Sequence, residues 1–144
     1  MTRIAVPALA ALLSVPSSIA AAPPPTADLR VTQRALVVQC VNGAAVGARE
    51  RRWRLPPAPV TLAVTMRNDP RPGIVAADAG TAVIGFTPVA GHRYELEVRS
   101  APTRFAVRVW PKGEWTPVVR DRTTDTIVSG PPEWADARPC AAPR

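Results

Sequence analysis

Apolar side chains along this chain recur at every second position, in short runs broken by glycine, proline and asparagine. Residues 60–67 alternate strictly: Val60, Leu62, Val64 and Met66 face one way, and Thr61, Ala63, Thr65 and Arg67 face the other. Residues 93–99 repeat the pattern, with Tyr94, Leu96 and Val98 inward and Arg93, Glu95, Glu97 and Arg99 toward solvent, as a sheet with one wet face requires. Phe105, Val107 and Val109 point inward again, Ala106, Arg108 and Trp110 outward. Pro111-Lys112-Gly113-Glu114 then reads as a hairpin loop from which residues 115–120 return. The β-prone run at 35–41 is stopped by Asn42-Gly43, a strong turn dipeptide, and residues 81–87 and 126–128 complete the set.

Six or seven such strands with turns between them predict an all-β protein, a single six- to eight-stranded antiparallel β-sandwich of the Ig-like or transthyretin-like kind. Prolines recur so often that no helix of three turns fits easily between Leu55 and Cys140.

The N-terminus changes the setting. Arg3 precedes an alanine-rich apolar run at residues 4–15, and Ser18-Ile19-Ala20 puts small residues at the −3 and −1 positions of a cleavage site. That order is expected of a secretory signal peptide over residues 1–20, and the run is too short to span a bilayer. A proline-rich flexible leader is expected over 21–33, the sandwich over 34–140 and a short tail over 141–144. No transmembrane segment is expected after signal cleavage, and the oligomeric state is left open.

Export puts Cys40 and Cys140 in an oxidising compartment, periplasmic or secreted, where two cysteines in one chain are most simply one disulfide. The net charge is +7, or +6 once Arg3 is cleaved away, and Lys112 is the only lysine. Arginines spread along the chain suit an anionic partner or reflect a GC-rich genome; nucleic acid is disfavoured by compartment and by the lack of a recognition motif.

Three segments carry a family resemblance. Residues 55–64 (Leu-Pro-Pro-Ala-Pro-Val-Thr-Leu-Ala-Val) resemble the turn and alternating strand of PEGA-type and related small exported bacterial β-sandwich domains, with Ala58 where glycine is usual and Pro59 added. Residues 86–96 resemble their recurrent hairpin, an apolar strand, an alanine-glycine step and an aromatic strand. Residues 115–121 are similar to the strand that often follows. The resemblance implies a non-enzymatic accessory sandwich of the cell envelope and supplies no catalytic residues.

Reactive side chains are isolated. His92, the only histidine, has Ser100 and Asp78 as the partners to consider, and neither is placed near it by spacing. Glu95 and Glu97 share one strand face, but Arg93 and Arg99 flank them, so a charge ladder is expected rather than a glycosidase pair. Asp121, Asp125, Thr123, Thr124 and Thr126 carry oxygen without the glycine of a calcium loop. No catalytic group, metal or cofactor is therefore expected, and the chain reads as not an enzyme.

Four tryptophans stand out against two phenylalanines and one tyrosine. Trp110 and Trp115 across the hairpin, with Arg108, form one candidate aromatic-basic patch, and Arg51-Arg52-Trp53 a second. These six residues are the expected contacts of a non-catalytic accessory domain with an envelope protein or polysaccharide. A different class of function is a secreted hydrolase inhibitor whose plug is the loop 68–73, stiffened by Pro70 and Pro72.

Overall fold

In a computed structural model the chain is described over residues 20–67, 78–100, 111–135 and 139–141. Among these residues ten strands run in chain order: β1 (Ala27–Val31), β2 (Leu36–Val41), β3 (Ala44–Ala45), β4 (Arg52–Leu55), β5 (Val60–Met66), β6 (Thr81–Phe86), β7 (Arg93–Ser100), β8 (Trp115–Asp121), β9 (Thr126–Ile127) and β10 (Glu133–Ala135). They form two five-stranded sheets, β4-β1-β7-β8-β9 and β10-β6-β5-β2-β3, here called sheets A and B. The inward side chains of both sheets meet in one apolar core, with Leu29, Trp53, Tyr94, Leu96, Trp115 and Val119 from sheet A against Leu36, Leu62, Val64 and Ile84 from sheet B. The all-β sandwich expected from the alternation is thus present, and no helix occurs among the described residues.

The chain changes sheets at its irregular connections. Residues 32–35 carry it from A to B, 46–51 from B to A, the proline-rich 56–59 from A to B, 87–92 from B to A, and 128–132 from A to B. Proline cannot donate to a ladder, so its concentration at 56–59 marks where pairing must stop and the chain must cross.

The strand count exceeds six to eight because β1, β3, β4 and β10 run only two to five residues each, too few for alternation to stand out. β1 is the largest correction: Ala27–Val31, within the stretch expected to be a flexible leader, lies inside sheet A between β4 and β7. Its residues alternate, with Ala27, Leu29 and Val31 buried and Asp28 and Arg30 outward. It runs parallel to β7, with Leu29 opposite Tyr94, so the sandwich is not wholly antiparallel.

Asn42 and Gly43 both have positive φ, the two-residue turn whose twist matches paired strands, and they join β2 to β3 as their sequence demands. Within β2 the pairing to β5 shifts between Val38 and Cys40, so that Val38 faces Val64 and Cys40 faces Ala63. This bulge at Gln39 reverses the phase of the strand. Val38 and Val64 belong to the core, whereas Cys40 and Ala63 are buried outside it, on the outer face of sheet B. There Cys40 meets Cys140 in a disulfide, with α-carbons 5.6 Å apart. Ala141 bridges to Ala44 alongside, its N–H donating to the Gly43 carbonyl at 2.8 Å. The C-terminal segment is thereby fastened to the edge of sheet B opposite β10.

Candidate functional site

Of the expected contact residues, Trp115 lies in the core. It is 1% exposed, its Nε1 donates to the Ala79 carbonyl at 3.0 Å, and its ring meets Trp134 edge-on at 5.0 Å. Trp53 is buried opposite Leu29, and its Nε1 is a buried donor with no partner among the described residues. The expectation that both serve as contacts is corrected for the same reason: in Arg52-Trp53-Arg54-Leu55 and again from Trp115, strand alternation assigns the ring to the buried face. Arg51 is half-buried and binds the chain itself, its guanidinium donating to the carbonyls of Gln33, Arg34 and Leu36 at 3.1, 3.0 and 2.6 Å. That turn joins β1 to β2, so Arg51 pins a crossing between the sheets. Arg108 and Trp110 lie outside the described residues, as do Phe105, Val107 and Val109 and the loop 68–73.

Arg52 remains on the surface, and around it is a group that composition did not single out. Asp28 on β1 accepts Arg52 Nε on one oxygen at 2.6 Å and Arg30 Nε on the other at 3.1 Å. Its direct neighbours across the strands are Arg54 on β4 and Arg93 on β7. Residues opposite each other in adjacent strands share a face with β-carbons about 5 Å apart. Four arginines therefore surround one carboxylate on the outer face of sheet A. Burial pushes the Asp28 carboxyl up, but hydrogen bonds and charge from Arg52 and Arg30 outweigh it and hold it below the ordinary aspartate value. The carboxylate stays ionised and keeps both guanidiniums by their Nε atoms. Arg54, Arg93 and, further along β7, Arg99 are exposed and make no ion pair among the described residues.

Beyond this group the same face is self-neutralised. Glu95 accepts the Thr32 hydroxyl at 2.6 Å and Arg122 Nε at 2.7 Å, and Arg120 Nε approaches Glu97 at 3.2 Å and its Nη1 approaches Asp125 at 3.4 Å. Glu95 is held below its ordinary value, chiefly by the Thr32 hydroxyl and then by Arg122, with burial opposing. The charge ladder expected for Glu95 and Glu97 is what β7 and β8 build.

Asp121 is the one buried polar or charged residue among those described. It ends β8 on the inward side, opposite Tyr94, and accepts His92 Nδ1 on one oxygen at 2.7 Å. Its other oxygen accepts the N–H groups of Thr123 and Thr124 at 2.8 and 3.3 Å. Burial raises the Asp121 carboxyl, yet His92 and the two N–H donors bring it below the ordinary value. Burial, with Asp121 nearby, raises the Tyr94 phenol, whose oxygen accepts the Val89 N–H at 2.8 Å.

An imidazole set on a buried carboxylate is the orienting half of a hydrolytic triad. The nearby hydroxyls are committed elsewhere: Thr123 Oγ1 accepts the Arg93 N–H, and Thr124 Oγ1 bonds Thr126 Oγ1. His92 also takes part in backbone bonds to Val89 and Asp28, so the pair joins the turn at 89–92 to the turn at 121–124. The partners considered from spacing lie elsewhere: Asp78 caps the Gly80 N–H, and Ser100 is at the far end of β7. Asp121 spends its oxygens on this clasp rather than on a cation, and no metal-binding group of side chains occurs among the described residues.

No family model, no curated protein and no solved structure matches the chain.

Proposed function

We propose that this chain is a non-catalytic, exported accessory domain of the bacterial cell envelope that binds anionic surfaces through the outer face of sheet A. The observation that carries this reading is the excess of guanidinium on that face: Arg54, Arg93 and Arg99 stand exposed and unpaired among the described residues, while its carboxylates are each engaged by arginine or hydroxyl groups. A net positive, solvent-exposed sheet attracts polyanions and is screened by salt. The disulfide between Cys40 and Cys140 suits an oxidising compartment, periplasmic or extracellular, as does the signal-like N-terminus. The likeness of residues 55–64, 86–96 and 115–121 to PEGA-type segments favours the same accessory role.

The test is co-sedimentation of the domain with envelope fragments across a salt series. Retention at 50 mM NaCl that is lost by about 0.5 M, and lost at low salt in an R54A/R93A/R99A variant, is the expected result. Retention indifferent to salt and to these charges would dispose of the proposal.

A further inference from the structure

Asp28 is an odd residue to find at the centre of a surface that binds anions. It removes one charge from a group of four guanidiniums, and a face selected for positive charge alone would do better without it. Its geometry gives it a different part. Each carboxylate oxygen takes the Nε–H of one arginine, Arg52 at 2.6 Å and Arg30 at 3.1 Å. An arginine held by Nε keeps its two terminal nitrogens, the fork that grips an oxyanion through paired hydrogen bonds. The Asp28 side chain is 18% exposed, while those of Arg30 and Arg52 are 53% and 57% exposed. The anchor is thus largely covered and the two groups it holds reach solvent. Arg54 and Arg93 stand beside Asp28 on the flanking strands, in register with it and on the same face.

We infer that Arg30, Arg52, Arg54 and Arg93 form a discrete oxyanion site, with Asp28 as its positioning residue, and that it takes the phosphate groups of an envelope glycan. This rests on the anionic-surface role proposed above and narrows it to one place and one chemistry. The balance of charge favours phosphate. Glu95, opposite Arg30, is engaged by Arg122, so four guanidiniums against Asp28 leave three positive charges, and a phosphate monoester brings close to two negative ones where a sugar carboxylate brings one. Among the described residues the face also lacks what recognition of a neutral sugar ring uses: Tyr94, Trp53 and Trp115 of sheet A all point into the core, and no aromatic ring stands among the described outward residues of that sheet. A glycan is favoured over a lipid headgroup because the rows Arg54–Asp28–Arg93 and Arg52–Arg30–Glu95 place no apolar side chain between the arginines to enter a bilayer.

Titration calorimetry with tripolyphosphate as probe, and trigalacturonate as the carboxylate comparison, tests the site on the disulfide-bonded domain. Asp28→Asn is the decisive variant because charge and positioning give opposite signs. It raises the net charge by one, so a diffuse field would bind tripolyphosphate more tightly. A site that needs Asp28 to aim Arg30 and Arg52 binds it several-fold more weakly. R54A/R93A is expected to lose at least tenfold, and R34A/R67A, which removes the same charge at exposed positions outside sheet A, to stay within twofold. The R54A/R93A comparison keeps the test decisive even if Asp28→Asn perturbs folding, since both arginines are exposed and make no ion pair among the described residues. Tighter or unchanged binding by Asp28→Asn, a loss in R34A/R67A equal to that in R54A/R93A, or a preference for trigalacturonate overturns the inference. If the probe behaves as expected but the domain is not retained on envelope fragments, the site stands and the envelope role falls.

Discussion

Replacing both cysteines by serine removes the only covalent tie in the fold, and the expected cost follows from loop length. The bond joins residues 100 apart in sequence, so it constrains nearly the whole described domain in its unfolded state. Chain entropy for a loop of that length gives about 4.7 kcal/mol. Domains of this size are stable by about 5–15 kcal/mol, so the loss is about 30% or more of the total. With an unfolding entropy of about 2.1 cal/mol/K per residue over about 115 residues, it lowers Tm by about 15–20 °C. Two accompanying signs identify the cause. The urea m-value rises, because the untied unfolded chain exposes more surface. Amide protection at Ala141 and Ala44 falls, because among the described residues the C-terminal segment is otherwise fastened there only by the bridge of Ala141 to Ala44 and its hydrogen bond to Gly43. Thermal and urea melts of the C40S/C140S variant beside the oxidised parent measure all three. A fall in Tm below 5 °C with an unchanged m-value would refute the chain-entropy argument.

Other substitutions probe the core and the turns. Asp121→Asn loses a charged acceptor that holds His92 and two backbone N–H groups, and costs about 2–3 kcal/mol in urea melts. Because the folded carboxyl lies below its unfolded value near 3.9, its contribution is full above about pH 5 and fades as pH falls through the folded value; a difference from the parent that stays constant down to pH 2 would sink this account. Trp115→Phe deletes the donor to the Ala79 carbonyl and the edge-on contact with Trp134, with an expected loss of about 1–3 kcal/mol; equal melts for variant and parent would show that neither contributes. Arg51→Ala releases three carbonyls of the turn between β1 and β2, so hydrogen exchange should quicken at residues 33–36 while the centre of β5 keeps its protection; uniform change across the domain would argue against a local staple.

The period of two in the sequence determined that this protein is all-β and which side chains of β5 and β7 face the core, because a strand turns alternate residues to opposite faces whatever it pairs with. It also determined the Asn42-Gly43 turn, where two consecutive positive-φ residues leave the backbone little choice. Arg52-Trp53-Arg54-Leu55 and residues 27–31 carried the same alternation, but over so few residues that a charge run and a proline-rich flank masked it. What no local pattern could give is adjacency. Asp28 becomes the centre of four arginines only when β1 enters between β4 and β7, bringing together residues 24 to 65 positions apart. His92 meets Asp121, rather than Ser100 or Asp78, because β7 and β8 pair in one register out of several that alternation allows. Cys40 reaches the outer face for Cys140 through a one-residue bulge whose position depends on the partner strand. Periodicity fixes faces from the chemistry of single residues, while neighbours across strands are chosen by the packing of the whole core, and the binding surface proposed here is made of neighbours.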